Sequence, residues 1–334
     1  MNSPQAKGGV VATAGAAATC LLINPLSCRT RNGALSRRAE MLARAHGVRV
    51  EVTGDPARIV ALLEELRAAA TPRLFVLSGD GTIQLIASFL VGLPAGDWNP
   101  ELLLLGGGRA NAVPRAFGGT PALRALRRVL EALRENRPLR VETQPLLCVR
   151  QQGRPERCGF IMVGALIDYG VRYCREWRAS GTSWWHRGIL ADQISLLRLA
   201  LQVLLGRSPV PPSPQMVVRM QPGGTMYAPL RVFVAGSLLH AGGHYNPYAA
   251  RGDGPLRISA IAVEAPRFWR NLPRMLTGRF DESMSVAQGY LSGRCHDASV
   301  EGMAGYSLDG EPYDADPALP LHIATGHALR VVHA

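Results

Sequence analysis

Apolar and polar positions follow one rhythm over the first part of the chain and another over the rest. Cys20 to Ile23, Leu74 to Leu77 and Leu102 to Leu105 are short apolar runs that predict strands, and Val48 to Val52, with Val at every second position, predicts another. Between them the apolar residues recur at three and four positions, as on one face of a helix. Leu35 to His46 has that spacing. Asp55-Pro56 opens the next helix, with Asp as N-cap and Pro at the first helical position, ahead of Ile59, Leu62, Leu63 and Leu66. Ile83 to Val91 is a third. Thr120-Pro121 caps a fourth, with Leu123, Leu126, Leu130 and Leu133 on one face. This βαβα order predicts a mainly parallel sheet covered by helices, with ligands at the carboxyl ends of its strands.

From about residue 141 the texture changes. Short runs rich in β-branched and aromatic residues stand between Gly, Pro and Asn breaks: Leu146 to Val149, Phe160 to Val163, Met216 to Met220, Leu230 to Ala235 and Arg257 to Val263. They predict an antiparallel β domain, interrupted by a helical region at about 170–206. The four prolines between Ser208 and Pro214 predict a loop. No tandem repeat is found.

Three loops at predicted strand ends are chemically unusual: Asn24-Pro25-Leu26-Ser27, Ser78-Gly79-Asp80-Gly81-Thr82, and Gly106-Gly107-Gly108-Arg109-Ala110-Asn111. Any one of them alone reads as a turn, since Gly, Asn, Pro and Ser dominate turns. Three that converge on one sheet edge read as a ligand site. Glycines at 79 and 81 allow backbone N–H groups to face a phosphate, and the following helix start adds partial positive charge. An aspartate inside such a cradle calls for a metal, a proton or a hydroxyl. A Walker-type loop is excluded because no GK[ST] follows the glycines, and the Rossmann glycine pattern is missing.

The 334 residues, 47% hydrophobic and 19% charged, suffice for two cores. No uninterrupted apolar run reaches the roughly 18 residues of a membrane span. The longest candidate, Ile189 to Gly206, carries Asp192, Gln193, Arg198 and Gln202 and reads as an amphipathic helix. Met1 to Thr19, rich in Ala and Gly with one Lys, reads as a disordered lead-in and not a cleaved signal, because the apolar stretch runs into the first strand. The cysteines at 20, 28, 148, 158, 174 and 295 form no CxxC pair and read as reduced thiols in the cytosol. The net charge of +12, mostly arginine, is scattered along helices without aromatic interleaving. That disfavours nucleic acid and leaves an anionic membrane surface open.

The motifs above occur in the order that marks the diacylglycerol kinase and sphingosine kinase lipid-kinase family, which the chain resembles over nearly its whole length. Asn24-Pro25-Leu26-Ser27 matches the family's NPxS, Ser78 to Thr82 its [GS]GDGT, and Gly106 to Asn111 its glycine-rich loop. Gly242-Gly243, Pro247 and Asp253-Gly254 resemble its GG…P…DG stretch, and Asp309-Gly310-Glu311 its late DGE. The GDGT element is shared with NAD kinases and phosphofructokinases; four or five elements in order are far more specific.

The resemblance implies an α/β nucleotide-binding domain over 20–140, a β-sandwich lipid-substrate domain over 141–320, and a segment at 321–334 returning to the first domain. It implies ATP contacts from Asn24, Pro25 and Ser27, from Thr53, from Ser78, Gly79, Gly81 and Thr82, and from Gly107, Gly108, Arg109 and Asn111. Glu311 is the implied proton acceptor, Asp309 orients it or binds metal, and Asp80 governs the metal–phosphate network or is itself the base. Asp253 is the implied Mg²⁺ ligand. The implied activity is transfer of the γ-phosphoryl group of ATP to a hydroxyl of a diacylglycerol-like or sphingoid lipid, by a cytoplasmic protein peripheral to the inner face of the membrane. A homodimer is compatible with this.

Several positions depart from the family pattern. Leu85 stands where many bacterial relatives have Glu, Arg109 replaces a Thr, Ala112 an Asp, and Cys28 a Gly. Arg109 either clamps a phosphate or fills the nucleotide pocket. Two other readings follow: a soluble-metabolite kinase on the same scaffold, as NAD kinases are, and a lipid- or nucleotide-binding relative without catalysis. Asp309-Gly310 is also a common turn dipeptide. His240 and His244 read as loop histidines, since Gly242-Gly243 breaks any helix between them. Trp177, Trp184 and Trp185 with Arg172, Arg175, Arg178 and Arg187 read either as an interfacial cluster or as packing of a helix on the β domain.

Overall fold

The computed structural model describes residues 18–94, 96–109, 111–180, 212–238 and 246–334. The lead-in up to residue 17, the Ile189 to Gly206 helix, His240, His244, Gly242-Gly243, Trp184, Trp185 and Arg187 lie outside them. The chain forms two compact units, Met1–Thr143 with Arg330–Ala334, and Gln144–Leu329.

In the first unit four strands run parallel in the order β2–β1–β3–β4: β1 Thr19–Ile23, β2 Arg49–Val52, β3 Arg73–Ser78 and β4 Glu101–Gly106. Beyond β4 the last strand of the chain adds Arg330 and Val331, also parallel. Almost every residue of β1, β3 and β4 is buried, which is why these strands appear in the sequence as unbroken apolar runs and not as alternations. The helices are α1 Ala34–Ala45, α2 Pro56–Ala68, α3 Asp80–Val91, α4 Ala112–Ala116 and α5 Ala122–Arg134. Asp55 caps α2 as expected, its carboxylate accepting from Ala57 N at 3.0 Å. At α5 the expectation is corrected: Pro121 is the N-cap and no side chain caps it, so Thr120 lies one position too early. Leu126, Val129, Leu130 and Leu133 of α5 pack with Leu21, Phe75, Leu103 and Leu105 of the sheet in one core.

The second unit is antiparallel. Its strands are β5 Val141–Arg150, which begins in the first unit, β6 Arg157–Gly159, β7 Ile161–Ala165, β8 Gln215–Gln221, β9 Gly224–Gly236, β10 Leu256–Ala262, β11 Tyr290–Cys295, β12 Asp297–Glu301, β13 Gly305–Leu308, β14 Glu311–Asp314 and β15 Leu321–Val332, whose end belongs to the first unit. The long β9 joins two sheets: its first half pairs with β8, its second with β7 and β10. Leu147, Met162, Val218, Phe233, Ile258, Leu291 and Leu308 share one core. Two helices accompany the strands, α6 Leu166–Ala179 and α7 Phe268–Met275. Among the described residues no helix is long and apolar enough to cross a membrane.

The cysteine reading needs correction. Cys148 of β5 and Cys158 of β6 lie directly opposite one another, and a disulfide joins them. β6 is only three residues long and leaves no period in the sequence, so the pairing was invisible there. Cys20, Cys28, Cys174 and Cys295 are free. These two cysteines are therefore not the reduced thiols expected of them.

Candidate functional site

Parallel register sets the site. Ile23 lies opposite Val52 and Leu77, Leu77 opposite Leu105, and Ser78 opposite Gly106, so the chains leaving β1, β2, β3 and β4 do so at one level. The loops that follow lock together through backbone and short side chains. Asn24 Nδ2 donates to Thr82 Oγ1 at 2.8 Å, while Asn24 Oδ1 accepts from Leu26 N at 2.8 Å. Ser27 Oγ accepts from Gly79 N at 2.9 Å. Arg29 N donates to Gly107 O at 2.9 Å, and Gly107 N to Ser78 O at 2.8 Å. Asn111, fully buried in the left-handed region, accepts from Gly108 N at 2.8 Å and donates back to Gly108 O at 2.9 Å.

Glycine is required where the loops meet. A Cβ on Gly108 would lie 2.7 Å from Gly79 Cα, and one on Gly107 would lie 3.1 Å from the Ser78 backbone. Side chains there would push the second and third loops apart and close the backbone surface they offer. Pro25 starts the first loop, half-buried beside the exposed Leu26. Thr53 hydrogen-bonds Ile23 O through its N–H, and its hydroxyl accepts from Asp55 N at 3.2 Å, which bends the chain into α2.

Asp80 is the first residue of α3, which starts three residues earlier than its apolar spacing indicated. Helix N-termini leave N–H groups without intrahelical acceptors, so this turn favours anions. Asp80 Oδ2 accepts from Asn111 N at 3.3 Å, whereas Oδ1 is buried with no hydrogen-bond partner among the described residues. Burial pushes this carboxyl up from its ordinary range, opposed by the Asn111 N–H, its own backbone N–H and the charge of Arg115. A buried carboxylate oxygen without a donor costs free energy unless something cationic or protic meets it. A divalent cation would meet that need, and a cradle with no room for Cβ atoms would suit phosphate groups. Gly81 is exposed, and Arg109, Leu85 and Cys28 are each half-buried around these loops.

Two residues that hold this site escaped the sequence reading. Thr30, almost fully buried, donates to Asn24 O at 2.6 Å and Ser27 O at 3.0 Å and so closes the first loop; its spacing of three from Ser27 was the only hint. Arg115, exposed in the one-turn α4, adds a positive charge that opposes the effect of burial on Asp80; so short a helix has no readable period.

The remaining acidic residues belong to the second unit. Asp309 and Gly310 form the two-residue turn between β13 and β14, both with positive φ, and Leu308 faces Glu311 across it. The Asp309 carboxylate accepts from Ile161 N at 2.9 Å and Phe160 N at 3.0 Å, and its own N–H donates to Ile161 O at 2.8 Å. It is thereby an anchor for the turn. Glu311 Oε2 accepts from Arg175 Nη1 at 2.6 Å. Arg172 of the same helix donates to Tyr313 O at 2.7 Å and to Asp314 at 2.8 Å, and is held in turn by buried Asp168 at 2.8 Å. Arg172 and Arg175 thus clamp the Glu311 hairpin to α6. Asp253 is exposed, between two positive-φ glycines, with its Oδ2 3.5 Å from His296 Nε2. The one metal-type cluster among the described residues, Cys148, Glu156 and Cys158, contains the disulfide and so lacks free thiolates.

The comparisons with known proteins agree with this architecture. Residues 18–144 match the model of the diacylglycerol kinase catalytic domain. A search of curated proteins returns no match. Among solved structures, a diacylglycerol kinase from Bacillus anthracis str. Sterne is similar at 12% identity and a TM-score of 0.59, over 95% of this chain and 96% of that one. A second structure from that organism, of a protein provisionally assigned as a diacylglycerol kinase, is similar at 15% identity and a TM-score of 0.61, over 95% and 97%. Residues 18–144 thus match the diacylglycerol kinase catalytic domain, and the chain as a whole shares the fold of these solved structures.

Proposed function

We propose that the chain is an ATP- and Mg²⁺-dependent kinase that phosphorylates a hydroxyl of a diacylglycerol-like or sphingoid lipid, working peripherally at the cytoplasmic, inner face of a membrane. The observation that carries this reading is Asp80: a buried carboxylate with one unpartnered oxygen, set in an Asn- and Gly-lined cradle at a helix start. Asn24, Pro25, Ser27, Thr53, Ser78, Gly79, Gly81, Thr82, Gly107, Gly108, Arg109 and Asn111 surround the triphosphate in this reading. Asp80 would hold the cation through Oδ1, and Asp253, exposed and beside His296, would be the second candidate ligand. When bound, the cation supplies charge neutralisation on the phosphate oxygens.

Glu311 accepts the proton of the lipid hydroxyl as that oxygen bonds to the γ-phosphorus and the bond to the bridging β,γ-oxygen breaks, releasing ADP. Arg175 holds the Glu311 carboxylate by one oxygen, and Asp309 fixes the turn that carries it. The direct test is phosphate transfer from ATP to a panel of diacylglycerols, sphingoid bases and NAD. Transfer to a lipid hydroxyl is expected. Transfer to NAD alone would point to a soluble-metabolite kinase, and ATP binding without turnover on any acceptor would point to a binding protein.

A further inference from the structure

The short helix α7, Phe268–Met275, carries an outward face that its own fold does not use. Phe268, Asn271 and Met275 point into the core, with Leu272 against it. On the opposite side, at the i, i+4 spacing that puts residues on one helical face, stand Trp269 with Pro273 and Arg270 with Arg274. Trp269 is 72% exposed, the most exposed large apolar side chain among the described residues. Arg267 precedes the helix and Arg279 follows it, both exposed. Arg274 is paired with Asp281 at 2.8 Å, whereas Arg267, Arg270 and Arg279 form no ion pair with a described residue. From 265 to 280 there is no acidic residue; Glu264, Asp281 and Glu282 flank the stretch.

This face costs the isolated molecule stability. An indole is left in water, and Arg270 and Arg274 repel one another at i, i+4. Behind them the Arg231 guanidinium lies 4.8 Å from the Phe268 ring centroid and 5.9 Å from that of Trp269, adding a cation at the base of the aromatic pair. An apolar strip beside a basic strip, with Trp at the boundary, matches the surface of an anionic bilayer, where indole rings settle at headgroup depth and guanidinium groups meet phosphate. Nucleic acid would use the charges but gives a lone Trp–Pro strip nothing comparable to fill.

We infer that the Trp269–Arg270–Pro273–Arg274 face of α7, flanked by Arg267 and Arg279, is a docking surface for anionic lipid bilayers. The inference rests on the lipid-kinase reading for its purpose, since it names the surface on which that reaction would take place, yet its test needs no catalysis. Full-length protein is partitioned onto phosphatidylcholine vesicles with and without phosphatidylglycerol, at low and high ionic strength, beside a single-stranded oligonucleotide. Binding is expected to the anionic vesicles alone and to weaken with salt. Arg270→Glu is expected to reduce that partition by roughly 30-fold, the effect of losing one cation and gaining one anion near the surface. Trp269→Ala should reduce it as well, while Tyr227→Ala, which removes an equally exposed aromatic on β9, should leave it unchanged. Quenching of wild-type tryptophan emission by brominated lipid, absent in Trp269→Phe, covers the case in which a charge variant folds poorly. Equal binding to neutral vesicles, unchanged partition of both α7 variants, or preference for the oligonucleotide overturns the inference. Phosphate transfer to a short-chain lipid in detergent micelles should persist in Arg270→Glu; its loss in the wild type as well would count against the kinase reading and leave the docking result standing.

Discussion

Two aspartate–glycine turns in this molecule carry the same residue pair and put it to opposite uses. In the first unit Asp80 sits at the start of α3 with Oδ1 buried and unpartnered. In the second unit both Asp309 oxygens accept backbone N–H groups of Phe160 and Ile161. One carboxylate is left open and raised in pKa by burial; the other is consumed by the fold. A motif letter therefore does not fix a role. What fixes it is whether the surrounding backbone supplies donors, and at Asp309 it does because Gly159 leaves room: a Cβ there would lie 2.5 Å from Asp309 Oδ2.

The largest effect should come from the residue that Asp309 positions. Glu311→Gln is expected to lower phosphate transfer by about 10²- to 10⁴-fold, the range for a general base, with nucleotide affinity unchanged in a direct binding measurement. Full activity in that variant would reassign the base, with Asp80 next in line. Asp309→Ala should behave differently, since it strips the acceptor from two backbone N–H groups. A loss of about 3 kcal/mol in denaturant-melt stability is expected, together with lower activity. An unchanged melt would show that the anchor is dispensable and would break the contrast between the two turns.

In the first unit the corresponding structural residue is Asn111. Asn111→Ala removes both bonds to Gly108 and should cost about 2 kcal/mol, seen by the same melt. Asp80→Asn should go the other way. Because the folded-state pKa of Asp80 lies above its unfolded value, the ionised form is penalised in the fold, and stability is regained as pH falls through that raised pKa. The Asn variant resembles the protonated form, so it is expected to be more stable than the wild type at neutral pH. That advantage should fade as the pH falls through the folded-state pKa to the ordinary carboxylate range, even as activity is lost. Matching stability of the two proteins at neutral pH would mean that Oδ1 is better solvated than its surroundings indicate.

Much of the first unit was legible because β1, β3 and β4 are buried on both faces and most of its helices are long enough to repeat. Asp55-Pro56, the runs at 74–77 and 102–105, and the leucine spacing of α5 each state their element locally. The second unit was read in outline only. β6, β13 and β14 are three or four residues long, too short to show a period, and the Cys148–Cys158 disulfide and the Asp309 anchor depend on them. Arg172 and Arg175 read in the sequence as part of either an interfacial cluster or a helix packed on the β domain; the structure turns them onto the β13–β14 hairpin, the second of these.

The sequence by itself determined the parallel α/β order, the antiparallel texture that follows it, and the three polar loops at strand ends, because each is written in neighbouring residues through period and turn chemistry. Tertiary structure alone decided which carboxylate oxygen is left without a donor, which cysteines pair and which arginine grips Glu311. Those outcomes depend on groups up to about 150 positions apart being brought within hydrogen-bond range. No local pattern of side chains can encode the distance between them.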